Sequence, residues 1–316
     1  MGQERDTQKA RVLFFGYGRG PVQVLKFLRS MEAEIVGVVL AGNRRGAKQE
    51  ALQEYVGAQR LPLLIQPTSG QSLLDFTQLC HSLQPDLILV YSYTLRLPAG
   101  ILSIPPLGAV NLHGGLLPMF RGPHVLNWAI INGERETGVT AHYMEAEWDT
   151  GPIIGMSKFA IDFEDDALTV EEKLHRAAVE VLAMHWEAIV TRTANVYAQD
   201  EGRARYWPRR RPEDGRIDWQ DSAINVHNLV RALVSPWPGA FAFLGQTKVI
   251  FQRVFPREDI QLRESPGTVH YDSTGILNIA TAEGWIMVRE VLVEGAVVTD
   301  KQIGNVLNCQ DGDRFA

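Results

Sequence analysis

The residues best suited to chemistry lie between Asn111 and Gly151. Asn111-Leu112-His113 closes an apolar run, and Asp149-Thr150-Gly151 follows in a turn-like setting. An amide, an imidazole and a carboxylate converging on one point suit acyl transfer to an amine. The amide and a protonated imidazole can stabilise the oxyanion of the tetrahedral intermediate. A nearby carboxylate raises the imidazole pKa and takes up or relays the proton that the attacking amine loses. No Ser or Cys nucleophile stands in this segment, which favours direct attack over a covalent acyl-enzyme. Between the two clusters, Gly114-Gly115, Pro118 and Arg121-Gly122 mark a loop whose backbone can approach a ligand closely. Taken singly, each residue also has a plain structural reading, as a hydrogen-bonder at a strand end or as a turn. Asp149-Thr150-Gly151 matches the aspartic-protease triplet by letter, but a single copy in an α/β chain argues against that reading.

The elements that must position these groups read as alternating strands and helices. Apolar runs at 11–16, 34–40, 61–65 and 85–91 read as buried strands. Between them, 22–31, 50–56 and 73–83 carry helical spacing. Strands that are apolar throughout imply a parallel sheet covered on both faces. A further strand over 108–113 sets Asn111 and His113 two apart, on one side of the sheet and at its carboxyl edge, where ligands bind in open α/β sheets. Residues 137–144 resemble another strand, and 169–189 a long helix. From about Gly202 the texture changes: five arginines fall between Arg203 and Arg211, then one helix-like segment (222–233), then short β-like runs separated by turns. That spacing suggests a small barrel.

Composition narrows the classes. The 316 residues are 45% hydrophobic and 22% charged, ordinary for a globular chain of one large and one smaller domain or of two similar ones. A net charge of −6 weakens a role centred on neutralising phosphate backbones. Cys80 and Cys309 read as two reduced thiols. No apolar run is long enough to span a membrane, and the polar start, Met1-Gly2-Gln3-Glu4-Arg5-Asp6, lacks a signal-peptide core, so a cytoplasmic location is expected. Gly16-Tyr17-Gly18-Arg19-Gly20 sits where a dinucleotide fingerprint would sit. However, Pro21 occupies the third small-residue position, and no acidic residue closes the second strand. It reads as a tight strand-to-helix turn, which disfavours a nicotinamide oxidoreductase. His124 and His142 lack zinc-site spacing. His142 is read as facing solvent or acceptor, and His175, His185 and His227 as surface or core-edge residues; no metal is assigned.

Asn-x-His-x-x-Leu-Leu-Pro-x-x-Arg-Gly over 111–122 is followed by Glu136-Thr137-Gly138-Val139-Thr140 and Asp149-Thr150-Gly151. Together they resemble the 10-formyltetrahydrofolate-dependent formyltransferases. The resemblance continues through Arg216-Ile217-Asp218-Trp219, Val230-Arg231-Ala232 and Pro236-Trp237-Pro238-Gly239-Ala240-Phe241, similar to methionyl-tRNA formyltransferases and sugar N-formyltransferases. It implies an α/β fold: a doubly wound, mostly parallel, Rossmann-like sheet as catalytic domain (1–203), then a smaller C-terminal β-barrel of OB-like type (204–316). It implies Asn111, His113 and Asp149 as the catalytic trio, with 10-formyltetrahydrofolate as formyl donor. The folate would be held by Tyr91, Ser92 and Tyr93 and by Glu145, Ala146, Glu147 and Trp148, with Leu116 and Leu117 lining the pocket. The family usually has Ser where this chain has Gly115, a departure that bears on the acceptor more than on the reaction class.

Among acceptors, a small amine is favoured, foremost a nucleotide-linked amino sugar whose diphosphate could use some of the arginines at 203–211. A tRNA is disfavoured: Gly42-Asn43-Arg44-Arg45-Gly46-Ala47-Lys48 is shorter than the basic loop usual in tRNA enzymes, and the net charge is negative. A peptide or amino-acid amine of a natural-product pathway stays open, and a homodimer is compatible. A folate hydrolase would share the trio. A non-catalytic binding module would be expected to lack one of the three residues, and all three are present.

Overall fold

The computed structural model describes residues 9–42, 49–257, 259–260 and 263–316. The start of the chain (1–8) and most of the short basic loop (43–48) therefore lie outside the described residues.

In chain order, the first part comprises β1 (Arg11–Gly16), α1 (Pro21–Ser30), β2 (Glu34–Ala41), α2 (Glu50–Ala58), β3 (Leu63–Gln66), α3 (Gln71–Ser82), β4 (Leu87–Tyr91), α4 (Ala99–Leu102), β5 (Ala109–His113), α5 (Val125–Ile131), β6 (Glu136–Tyr143), β7 (Ile153–Ala160) and α6 (Ala167–Val190). The seven strands form one sheet in the order β3-β2-β1-β4-β5-β6-β7. The first five run parallel, and β6 is antiparallel to β5. Strand β7, which the sequence reading did not foresee, extends the sheet beyond β6.

Local chemistry explains the early elements. In β1, Val12 to Phe15 are fully buried, while the Arg11 guanidinium pairs with Glu34 at the start of β2. Pro21 opens α1, where its missing N–H costs no hydrogen bond and its fixed φ suits the first turn. The glycine turn between them serves packing. A Cβ on Gly20 would fall 2.3 Å from the His175 ring of α6, so only glycine lets helix and turn approach. This accounts for the turn without a dinucleotide.

By contact, the chain divides into two compact units. One is the chain up to Gly122 with Glu136–Phe159 and Glu172–Trp207; the other is Pro123–Arg135, Ala160–Glu171 and Pro208–Ala316. In the second, α7 (Ala223–Ala232) is capped by Ser222, whose hydroxyl accepts from the Asn225 N–H at 3.3 Å. It is followed by β8 (Ala240–Leu244), β9 (Thr247–Arg257), β10 (Val269–Tyr271), β11 (Leu277–Ala280), β12 (Trp285–Val293), β13 (Ala296–Thr299) and α8 (Gln302–Leu307). These strands make an antiparallel sheet, β10-β11-β12-β9-β8, with β13 added beside β12. Residues 312–316 bridge its two outer strands. Phe243 and Ala316 exchange backbone bonds of 3.0 and 2.8 Å beside β8, and Val269 N–H of β10 donates to Asp313 O at 2.8 Å. The sheet edges are thus paired within the chain.

Candidate active site

The site grows from the β5–β6 pair. Antiparallel register sets Asn111 opposite His142 and His113 opposite Thr140. Alternation along each strand then brings Asn111, His113, Thr140 and His142 to one face. His113 is 8% exposed, Thr140 0% and His142 1%, so the polar groups of this face must find partners inside the protein. Thr140 Oγ1 donates to Gly115 O at 2.7 Å and accepts from Leu117 N–H at 3.1 Å, tying the loop after β5 to β6.

Asp149 comes to this face from the loop between β6 and β7. Its Oδ1 lies 3.5 Å from His113 Nδ1 and 3.8 Å from His142 Nε2, and its Oδ2 accepts from the Gly122 N–H at 2.9 Å. The carboxylate is 9% exposed, and its residue holds a left-handed backbone conformation, φ 58°. His113 Nε2 lies 2.5 Å from Phe120 O. Both nitrogens of His113 therefore face oxygen atoms.

His142 is buried beside Asn111, away from the solvent-facing option of the sequence reading. Its Nδ1 lies 2.8 Å from Tyr143 O, a carbonyl that can only accept, so Nδ1 carries the proton and Nε2 is an acceptor. Asn111 Nδ2 at 3.2 Å supplies the matching donor. This fixes the Asn111 amide orientation and leaves its second N–H unspent on this bond. Burial, reinforced by the neighbouring His113, holds the His142 pKa down to about 4, so the ring is neutral at ordinary pH. The long-range register that makes His142 a neighbour of Asn111 carries no local sequence signal.

The expected folate residues fall into two sets. The loops at Tyr91–Tyr93 and Glu145–Trp148 are brought together through Arg96, whose guanidinium donates to Ala146 O and approaches the Glu147 carboxylate at 3.5 Å. Ser92 and the run from Glu145 to Trp148 are exposed, and Ser92 has φ 55°. The side chains of the two tyrosines are already engaged: Tyr91 OH lies 2.8 Å from His175 Nδ1, and Tyr93 OH donates to Gln66 Oε1 at 3.0 Å. Leu116 and Leu117 are buried after β5, with Leu117 N–H held by β6. Besides these engaged side chains, this edge presents backbone donors and acceptors from exposed turns. His175 and His227, read from sequence as surface or core-edge residues, are both buried. Among the described residues, no group of three or more His, Cys, Asp or Glu is arranged to hold a metal, and no helix is long and apolar enough to cross a membrane. Cys80 and Cys309 are free and buried, and burial pushes the Cys80 thiol up to about 12, far from a thiolate nucleophile.

The Formyl transferase family model matches residues 10–185, and the Formyl transferase C-terminal domain model matches 210–308. The chain belongs to the formyl transferase family. Solved structures share its fold at low identity. HypX from Aquifex aeolicus in complex with tetrahydrofolic acid is 20% identical, covers 98% of this chain and 51% of its own, and has a TM-score of 0.65. This formyl transferase chain spans about half the length of the HypX chains it matches. An N-formyltransferase from Helicobacter canadensis, in complex with folinic acid and dTDP-3-aminofucose, is 15% identical, with coverage of 88% and 98% and a TM-score of 0.69. A sugar N-formyltransferase from Shewanella sp. is 16% identical, with coverage of 77% and 97% and a TM-score of 0.63.

Proposed function

We propose that this formyl transferase moves a formyl group from 10-formyltetrahydrofolate to a primary amine, with Asn111, His113 and Asp149 as its catalytic residues. The observation that carries the reading is the approach of His113 Nδ1 to Asp149 Oδ1, 3.5 Å, with Asn111 on the same face of β5. In the reaction, the amine nitrogen bonds to the formyl carbon and the bond from that carbon to the folate nitrogen breaks. Asn111 meets the charge developing on the formyl oxygen with its second amide hydrogen, and His113 contributes the positive charge of its ring. Asp149 accepts the proton that the amine loses, and that proton passes on to the departing folate nitrogen.

The folate lies along the strand ends, on backbone groups at 91–93 and 145–148, with Leu116 and Leu117 behind them. Residues 1–203 act as the catalytic domain and 204–316 as a C-terminal domain. The acceptor is a nucleotide-linked amino sugar. Two features support this choice: the net charge of −6, and the dTDP-3-aminofucose in the Helicobacter canadensis N-formyltransferase complex. The test is a competition among nucleotide amino sugars, free amino acids and charged initiator tRNA, with 10-formyltetrahydrofolate as donor. Preferential formylation of tRNA or amino acids would replace the acceptor; release of formate with no acceptor present would replace transfer by hydrolysis.

A further inference from the structure

We propose that Gln199 is a positioning residue of the active site, holding the backbone around Asp149 so that its carboxylate stays turned toward His113. This rests on the proposed role of Asp149 as proton acceptor. Gln199 lies between the two family matches, in the irregular stretch that follows α6.

The geometry is a clamp. Gln199 Nε2 donates to Asp149 O and to Gly151 O, both at 2.8 Å. Its Oε1 accepts from Arg121 Nε at 3.0 Å and from an Arg121 terminal nitrogen at 2.8 Å. Because a guanidinium only donates and a backbone carbonyl only accepts, the orientation of the Gln199 amide is fixed from both ends. Arg121 is itself immobilised: it is 1% exposed and makes bonds of 3.0 and 2.6 Å to the two oxygens of Glu201. That hydrogen bonding raises the Arg121 pKa and lowers that of Glu201.

The same stretch grips both loops of the site through backbone bonds. Ile153 and Tyr197 exchange bonds of 2.9 and 3.1 Å, Arg121 N–H donates to Arg205 O at 3.0 Å, and Trp207 N–H donates to Arg121 O at 2.9 Å. The neighbouring Gly122 N–H holds Asp149 Oδ2. Side chain and backbone of Asp149 are thus secured by adjacent parts of one network. Asp149 holds a left-handed backbone conformation, which is less populated for a non-glycine residue, and these bonds help to hold it.

The test is a double-mutant cycle between Gln199→Leu and Asp149→Asn, followed by kcat, KM, folate affinity and melting temperature of the full chain. If Gln199 acts through Asp149, Gln199→Leu lowers kcat by roughly ten- to a hundredfold in the wild-type background. In the Asp149→Asn background it changes the residual rate by less than about twofold, the non-additivity of residues acting as one unit. Folate affinity stays within about twofold of the starting value in both backgrounds, as expected when only a transition-state contribution is lost. Gln199→Glu keeps the bonds to Arg121 but turns a carboxylate against two carbonyl oxygens, and should lose as much rate as Gln199→Leu. Equal losses in both backgrounds, a lower melting temperature with kcat intact, or wild-type kcat in Gln199→Glu would each overturn the inference. A wild-type chain that transfers no formyl group would refute the proposed function instead. The clamp would then be judged by amide hydrogen exchange at 149–151, which accelerates in Gln199→Leu if Gln199 holds the turn and is unchanged if it does not.

Discussion

Two strand pairs of the seven-stranded sheet, β1 with β4 and β5 with β6, are both largely buried and differently built. In β1 and β4, Val12 to Phe15 and Leu87 to Leu89 are fully buried and purely apolar. In β5 and β6, His113, Thr140 and His142 occupy equally sheltered positions. Removal of apolar surface from water stabilises the first pair, at about 25 cal/mol per Å². The second pair gains it too, through Val110, Leu112, Val139 and Ala141, but it must also find internal partners for His113, Thr140 and His142, and it does so through Phe120 O, Gly115 O, Tyr143 O and the Asp149 carboxylate. The difference teaches that one sheet can divide its duties, with one side holding the fold and the other holding charge and protons in place.

The division can be broken at either end. The largest effect expected is on stability: Leu89→Ala in β4 should lose about 3 kcal/mol in denaturant unfolding, with turnover per folded molecule unchanged. A collapse of turnover in the folded variant would erase the distinction. His113→Ala and Asp149→Ala should each reduce formyl transfer by at least about two orders of magnitude, about 2.7 kcal/mol of barrier, while folate binding persists. Near-normal turnover in single-turnover assays would remove that residue from the trio.

Acidification sharpens the comparison. His142 titrates near 4 in the fold against an ordinary 6.5, so between these values the unfolded chain binds a proton that the native chain refuses. Its contribution to stability is intact above about pH 6.5 and declines as pH falls toward 4, on the order of 2 kcal/mol by pH 5. His142→Gln should flatten that part of the stability–pH curve; an unchanged slope would place the titration elsewhere. The smallest effect is expected from Thr140→Val, which strands Leu117 N–H and Gly115 O and should cost about 1 kcal/mol, read as a fall in melting temperature. A neutral result would show that these groups find other partners.

The apolar pair was the legible one. Runs such as Val12-Leu13-Phe14-Phe15 and Leu87-Ile88-Leu89-Val90 announce buried strands without help from distant residues. Asn111 and His113 were legible for the same reason, since alternation along a single strand puts both on one face. Strand β7 was not, because Gly155 interrupts its pattern. The reason lies outside the strand: a Cβ there would fall 2.0 Å from the His185 ring. The partnership of Asn111 with His142 depends on a strand register that local sequence does not encode. Gln199 sits in an irregular stretch with no periodicity to mark it, and its importance is visible only once two loops arrive beside it.

The positive φ of Asp149 has a practical outcome for anyone engineering the molecule. At such a turn glycine is the residue the backbone would choose unaided. Asp149→Gly would ease the backbone but leave the Gly122 N–H and the His113 ring without the carboxylate they face, and that loss outweighs the relief. Swapping in the residue that suits the turn is therefore no route to a hardier protein at this position, because the side chain that strains the backbone also ties down its neighbours.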